Sequence, residues 1–179
     1  MAAPDGPDRE EKQMKAWHGD ELIKQRTIER MRWHIELDEL VHGYYQAADP
    51  KAAEGYRGCA IGCTLEVKLT TEGQVIEPER GWWNEMEVQY GIPYAVASTI
   101  DDAFEALNAH HPRDKQWVLD VLEAVPVGAD LLSVDQRFRG LYDDEERAFY
   151  GAHEGGAFVP SVELVNKLLD VLRTAPQAK

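Results

Sequence analysis

The sequence predicts an all-α protein, an irregular or orthogonal bundle of about six or seven helices with at most one small β-hairpin inserted. Apolar residues recur three and four apart through most of the chain, the period of a helix that packs on one face. Proline, glycine and capping residues separate these segments by short connections. Strand-like alternation is confined to Leu65 through Ile76, which is too little for a sheet that stands alone.

Taken in order, residues 1–14 are charged, contain two prolines and have almost nothing to bury, so a disordered tail is expected. Residues 15–173 read as one helical domain and 174–179 as a frayed end. Asp20 is a good N-cap for a long amphipathic helix from Glu21 to Tyr45, or two joined near Trp33, with Ile28, Met31, Ile35 and Leu40 on its inner face. Asp49-Pro50 opens a short turn. In Tyr56–Leu65 the pairs Gly58/Gly62 and Cys59/Cys63 each repeat four apart, which suits a central buried helix lying very close to a neighbour. Leu65, Val67 and Leu69 alternate with polar residues before the turn-like Thr71-Glu72-Gly73, the hairpin candidate.

Glu79 to Tyr90 presents a helical aromatic face and stops at Gly91. Pro93 starts a helix with Val96, Ile100, Phe104 and Leu107 in register, and Pro112 starts another with Trp117, Val121 and Leu122. Asp130 caps a further helix through Leu141, a short acidic helix follows from Asp143 to His153, and Ser161 caps the last, whose Val165, Leu168 and Leu172 dock it.

With 179 residues, 44% of them hydrophobic, the chain can build a core without disulfides. A net charge of -14 argues against nucleic acid or an anionic membrane as partner, leaving a protein partner or self-association. No apolar run reaches the ~20 residues a membrane span needs, so a cytoplasmic location is expected.

The order Arg57-Gly58-Cys59-Ala60-Ile61-Gly62-Cys63-Thr64-Leu65, then Gly91-Ile92-Pro93 before Ile100-Asp101-Asp102-Ala103-Phe104-Glu105, then Val127-Gly128-Ala129-Asp130-Leu131, resembles a set of uncharacterised bacterial proteins. Those carry a Gly-Cys-Ala-Val-Gly-Cys segment with a Gly-Ile-Pro and an acidic-Phe helix. The resemblance spans Lys15 to Phe138 and implies family membership without an activity. Glu66 to Gly81 departs from it as additional material.

Two sets of residues are candidates for function. His34, Asp38 and His42 fall four apart on the first helix, and imidazole with carboxylate suits zinc or iron. In a continuous helix the outer pair is ~12 Å apart, so Asp38 with one histidine would need further ligands, such as Glu66, Glu105, Cys59 or Cys63. Otherwise the stripe is structural and no cofactor is required. Trp82, Trp83 and Tyr90 form the second set, an aromatic surface for a partner. Asp101 and Glu105 share a helix face and read as a solvated pair in so acidic a chain; His110, His111 and His153 read as loop histidines. The functional expectation is a protein-interaction or regulatory module, with a metal- or thiol-dependent enzyme as the alternative.

Overall fold

The computed structural model describes residues 14–43, 45–52, 54–66, 68–107, 114–153 and 156–179. The expectations for residues 1–13 and for Val67, His110, His111 and Pro112 fall outside these. Among the described residues the chain is an all-α bundle with one minimal sheet. Its helices are α1 (Glu21–Glu36), α2 (Ala60–Thr64), α3 (Trp82–Tyr90), α4 (Tyr94–Leu107), α5 (Asp114–Ala124), α6 (Asp135–Ala152) and α7 (Val162–Arg173). Strands β1 (Ala47–Ala48) and β2 (Tyr56–Arg57) pair antiparallel, Ala47 with Arg57 and Ala48 with Tyr56. Among the described residues no helix is long and apolar enough to cross a membrane.

The hydrophobic stripe of α4 places it at the centre. Val96, Ala97, Ile100, Ala103, Phe104 and Leu107 are all buried, and the helix packs against α2, α3, α5 and α6. Helix α7 docks on α5 and α6 through Leu164, Val165, Leu168 and Leu172. Two of the capping residues expected from the sequence act as caps: Asp20 accepts from the Leu22 N–H at 2.8 Å and Ser161 from that of Leu164 at 3.0 Å.

The first long helix is shorter than its apolar pattern suggests. Glu39 N–H donates to the His34 carbonyl and Asp38 N–H to that of Ile35, while Asp38 adopts φ 60°. These two bonds make a Schellman stop, with aspartate in the left-handed position that glycine usually takes. The chain beyond Glu36 therefore leaves the helix and runs as an irregular segment along α2, with Leu40 bridged to Gly58. In the opposite sense, the two helices expected on either side of Asp143 are one, α6. An Arg139–Asp143 ion pair at 2.8 Å, four residues apart, spans the expected break. Asp130 belongs to the turn before α6, where it accepts from Ser133, and Val134 is the N-cap residue.

Among the described residues the hairpin candidate at Leu65–Ile76 pairs antiparallel at Leu69 and Val75, with Ile76 N–H donating to the Lys68 carbonyl and Thr70 N–H to that of Gln74, and the regular strand pair, β1 with β2, lies earlier. Residues 16 and 176–178 meet one turn. Ala16 donates to Ala129 and accepts from Gly128, while Ala178 donates to the Gly128 carbonyl and Asp130 to that of Pro176. The last residues, expected to fray, are thus tied in by backbone hydrogen bonds. A 3-10 turn at Ala16–Gly19 buries Trp17 completely, and its indole donates to the Val125 carbonyl at 3.1 Å.

Of the small residues expected on one helix, Gly62 and Cys63 lie in α2 while Gly58 and Cys59 precede it; both glycines do lie against a close neighbour, which is backbone and not a helix. A Cβ at Gly62 would stand 1.3 Å from the Tyr45 carbonyl oxygen, and one at Gly58 2.0 Å from it. Gly62→Ala is therefore expected to destabilise the protein by roughly 1–3 kcal/mol through overpacking, although alanine is the better helix former. Gly140→Ala in α6, where a Cβ meets nothing within 4 Å, should leave stability unchanged or raise it. Urea denaturation of the two variants checks this; a Gly62→Ala midpoint equal to wild type would mean the contact is not tight.

Candidate functional site

Two features share the irregular segment that follows α1: a polar cluster reached by Gly43 and Tyr45 and an open groove reached by Gln46. The cluster begins with Cys59, the residue before α2, and Asp101 and Glu105, one turn apart on α4. One ligand-type atom from each lies within 4.8 Å of the others. Asp101 is 6% exposed, because it follows Ala97 by one turn on the buried stripe. Its Oδ2 accepts from the Trp83 indole at 3.0 Å and its Oδ1 from the Cys59 thiol at 3.3 Å, with the Tyr45 hydroxyl as a third donor. Burial raises the Asp101 carboxyl above the usual aspartate range, and these donors pull in the opposite direction. The expectation that Asp101 and Glu105 form a solvated pair is corrected for Asp101.

Glu105 is held from the segment above it. Both of its oxygens accept from the Gly43 N–H at 3.0 Å, and Oε2 lies 3.5 Å from His42 Nδ1. The His42 ring is stacked on Phe104 with centroids 4.1 Å apart, which fixes its plane over α4. Gly43, Tyr45, Cys59, Asp101 and Glu105 line a cavity of 250 Å³. Asp102, the next residue of α4, points elsewhere and pairs with Arg139 at 2.5 Å.

The residues expected to ligate a metal from one helix do not converge, since the helix ends before two of them. His34 is buried, with Nδ1 2.8 Å from Glu39 and Nε2 3.1 Å from the Tyr56 hydroxyl and 3.3 Å from Glu54. Asp38 is exposed and bonds Lys115. Cys63 donates to the Gly58 carbonyl at 3.3 Å within the core. Of the residues expected as ligands, His42, Cys59 and Glu105 reach the cluster. Desolvation lifts the Cys63 thiol to about 12, and burial beside Asp101 lifts Cys59 further. Each thiol is at most 1% exposed, so neither is a ready thiolate nucleophile.

The aromatic set divides as well. Tyr90 is core, its hydroxyl bonding the Thr64 carbonyl at 2.7 Å and accepting from Arg30 at 2.6 Å. Trp83 turns inward to Asp101 and meets the Tyr94 ring edge-on. Trp82 stacks on Tyr45 with centroids 5.4 Å apart and lines a groove of 490 Å³ between α3 and residues 65–80. Leu65, Ile76, Pro78 and Val88 supply the rest of its apolar lining.

The neighbouring tryptophans should respond differently to the same change. Trp83→Phe removes the donor to a buried carboxylate and is expected to cost about 2 kcal/mol, whereas Trp82→Phe keeps a ring against Tyr45 and should cost less than half of that. Paired urea denaturation curves measure the difference; equal losses would assign Trp83 to packing alone. Comparison with protein-family models, curated proteins and solved structures finds no match to this chain.

Proposed function

We propose that this protein is an interaction module whose groove beside α3 receives a basic segment of a partner protein, anchored by an apolar side chain. The observation that carries this reading is the composition of the groove. Two of its apolar residues are open to solvent, Ile76 at 47% and Val88 at 55% exposed, while Leu65 forms a buried floor, and its flanks carry Glu66, Glu77, Glu79 and Glu85 against Lys68 and Arg80. Acidic flanks on a chain of net charge -14 attract cationic segments and repel anionic ones, which favours a basic protein over nucleic acid. Trp82 supplies a large, oriented surface for an anchoring side chain, and its stack on Tyr45 holds it in place before any partner arrives. Tyr90 has no part in this surface.

Synthetic peptides of about ten residues that combine Lys or Arg with Leu or Phe test the reading, with acidic and polar peptides as controls. The basic apolar peptides are expected to change tryptophan emission saturably, with affinity that falls as salt rises. Trp82→Ala should abolish the response while the circular dichroism spectrum is retained, and Glu85→Lys should weaken it several-fold. Absence of saturable binding by these peptides, or binding that survives Trp82→Ala, would overturn the proposal. Concentration-dependent sedimentation lost in Trp82→Ala would overturn it in favour of self-association.

A further inference from the structure

The geometry points to a zinc site formed by Cys59, Asp101, Glu105 and His42, none of which lines the groove. The donor set is one that zinc takes: a thiolate, an imidazole and two carboxylates, drawn from three separate elements. The spacing suits a tetrahedral ion. With metal–sulfur and metal–oxygen bonds of about 2.3 and 2.0 Å, ligand atoms on one ion stand about 3.5 Å apart for sulfur and oxygen and about 3.3 Å for nitrogen and oxygen. Cys59 Sγ and Asp101 Oδ1 are 3.3 Å apart, and His42 Nδ1 and Glu105 Oε2 are 3.5 Å apart. Each separation matches one edge of such a polyhedron; Cys59, Asp101 and Glu105 already offer atoms within 4.8 Å of one another, and a side-chain adjustment brings His42 in as the fourth ligand.

The outer contacts also fit. A metal-binding carboxylate is oriented by a hydrogen bond to the oxygen that does not ligate, and the Trp83 indole occupies Asp101 Oδ2 while Oδ1 faces Cys59. The Gly43 N–H holds the Glu105 carboxylate through both of its oxygens, and Phe104 fixes the plane of the His42 imidazole. The adjoining 250 Å³ cavity provides an approach for the hydrated ion. On binding, the Cys59 thiol gives its proton to solvent, and the Zn–S bond replaces the S–H···O contact with Asp101. Purely structural use of the same residues would need only the hydrogen bonds, and neither the histidine nor the cavity.

Cobalt(II) is the probe, because a thiolate bound to it gives a near-ultraviolet charge-transfer band and tetrahedral coordination gives intense visible bands. Full-length protein, purified without a metal-affinity tag and freed of metal with a chelator, is titrated with cobalt and then with zinc. We expect both bands to saturate at one ion per chain and to vanish as zinc displaces cobalt. Cys59→Ser should lose the charge-transfer band while Cys63→Ser keeps it. Glu105→Gln, at a half-exposed position that should tolerate the change, and His42→Gln should each weaken binding about tenfold or more. Absence of the bands in wild type, a charge-transfer band that depends on Cys63, or affinity unaltered in both Glu105→Gln and His42→Gln would overturn the site. If Cys59→Ser does not fold, zinc protection of Cys59 from alkylation in wild type, read by peptide mapping, replaces it; equal labelling with and without zinc would overturn the site.

Discussion

The absence of side chains at Gly58 and Gly62 is the constraint on which the rest depends. It lets the Tyr45 carbonyl sit where two Cβ atoms would otherwise be, so an irregular segment lies directly on a short helix. That contact is reinforced along its length: Val41 donates to the Gly58 carbonyl, Gly58 to that of Glu39, and the Gln46 amide to that of Gly62. With the segment fixed at this depth, Gly43 meets Glu105, the Tyr45 ring meets Trp82 and His42 lies on Phe104. Raising it by the thickness of a methyl group would disturb each of these contacts together, because protein interiors have little spare volume to absorb such a shift.

Polar groups buried along the same seam have partners on neighbouring elements. Arg30 of α1 reaches the Thr64 carbonyl and the Tyr90 hydroxyl, joining the first helix to α2 and α3. His34 sits between Glu39 and the Tyr56–Glu54 pair, joining the end of α1 to the strand pair. Asp101 joins α4 to α2 and α3 through Cys59 and Trp83. A buried polar group left without its partner costs more than a made bond contributes, so these cross-links specify register even where their net stabilisation is small.

The helical fold was legible because packing follows period: the stripes of α4, α5 and α7 and the left-handed Gly91 after α3 are all written locally. The end of α1 was not, since its stop uses Asp38 at positive φ and the apolar residues beyond it continue in phase. The false helical face for His34, Asp38 and His42 follows from that one residue. The close contact of Gly58 and Gly62 was legible in kind, but its partner was not, because a carbonyl from an irregular segment leaves no side-chain signature. Asp101 was misread as solvated because charge dominated its interpretation. Its position one turn after Ala97, between Ile100 and Phe104, was the available signal that it borders the core. Trp82 and Trp83 separate as adjacent residues on a helix must, one toward the core cluster and one toward the groove.

The turn at 128–130 gives the molecule an unusual mechanical layout. Residues 16 and 178 bond the same glycine from opposite ends of the chain, through the Gly128 N–H and carbonyl respectively. A stretching force applied between residues 16 and 178 would therefore load a handful of peptide hydrogen bonds and the buried Trp17 anchor before it reached the helices. Once those bonds part, tension passes into α1 at one end and α7 at the other, elements held by side-chain packing against α5. The bundle would yield from its two flanks inward, with the segment seated on Gly58 and Gly62 and the central α4 among the last parts to feel the load.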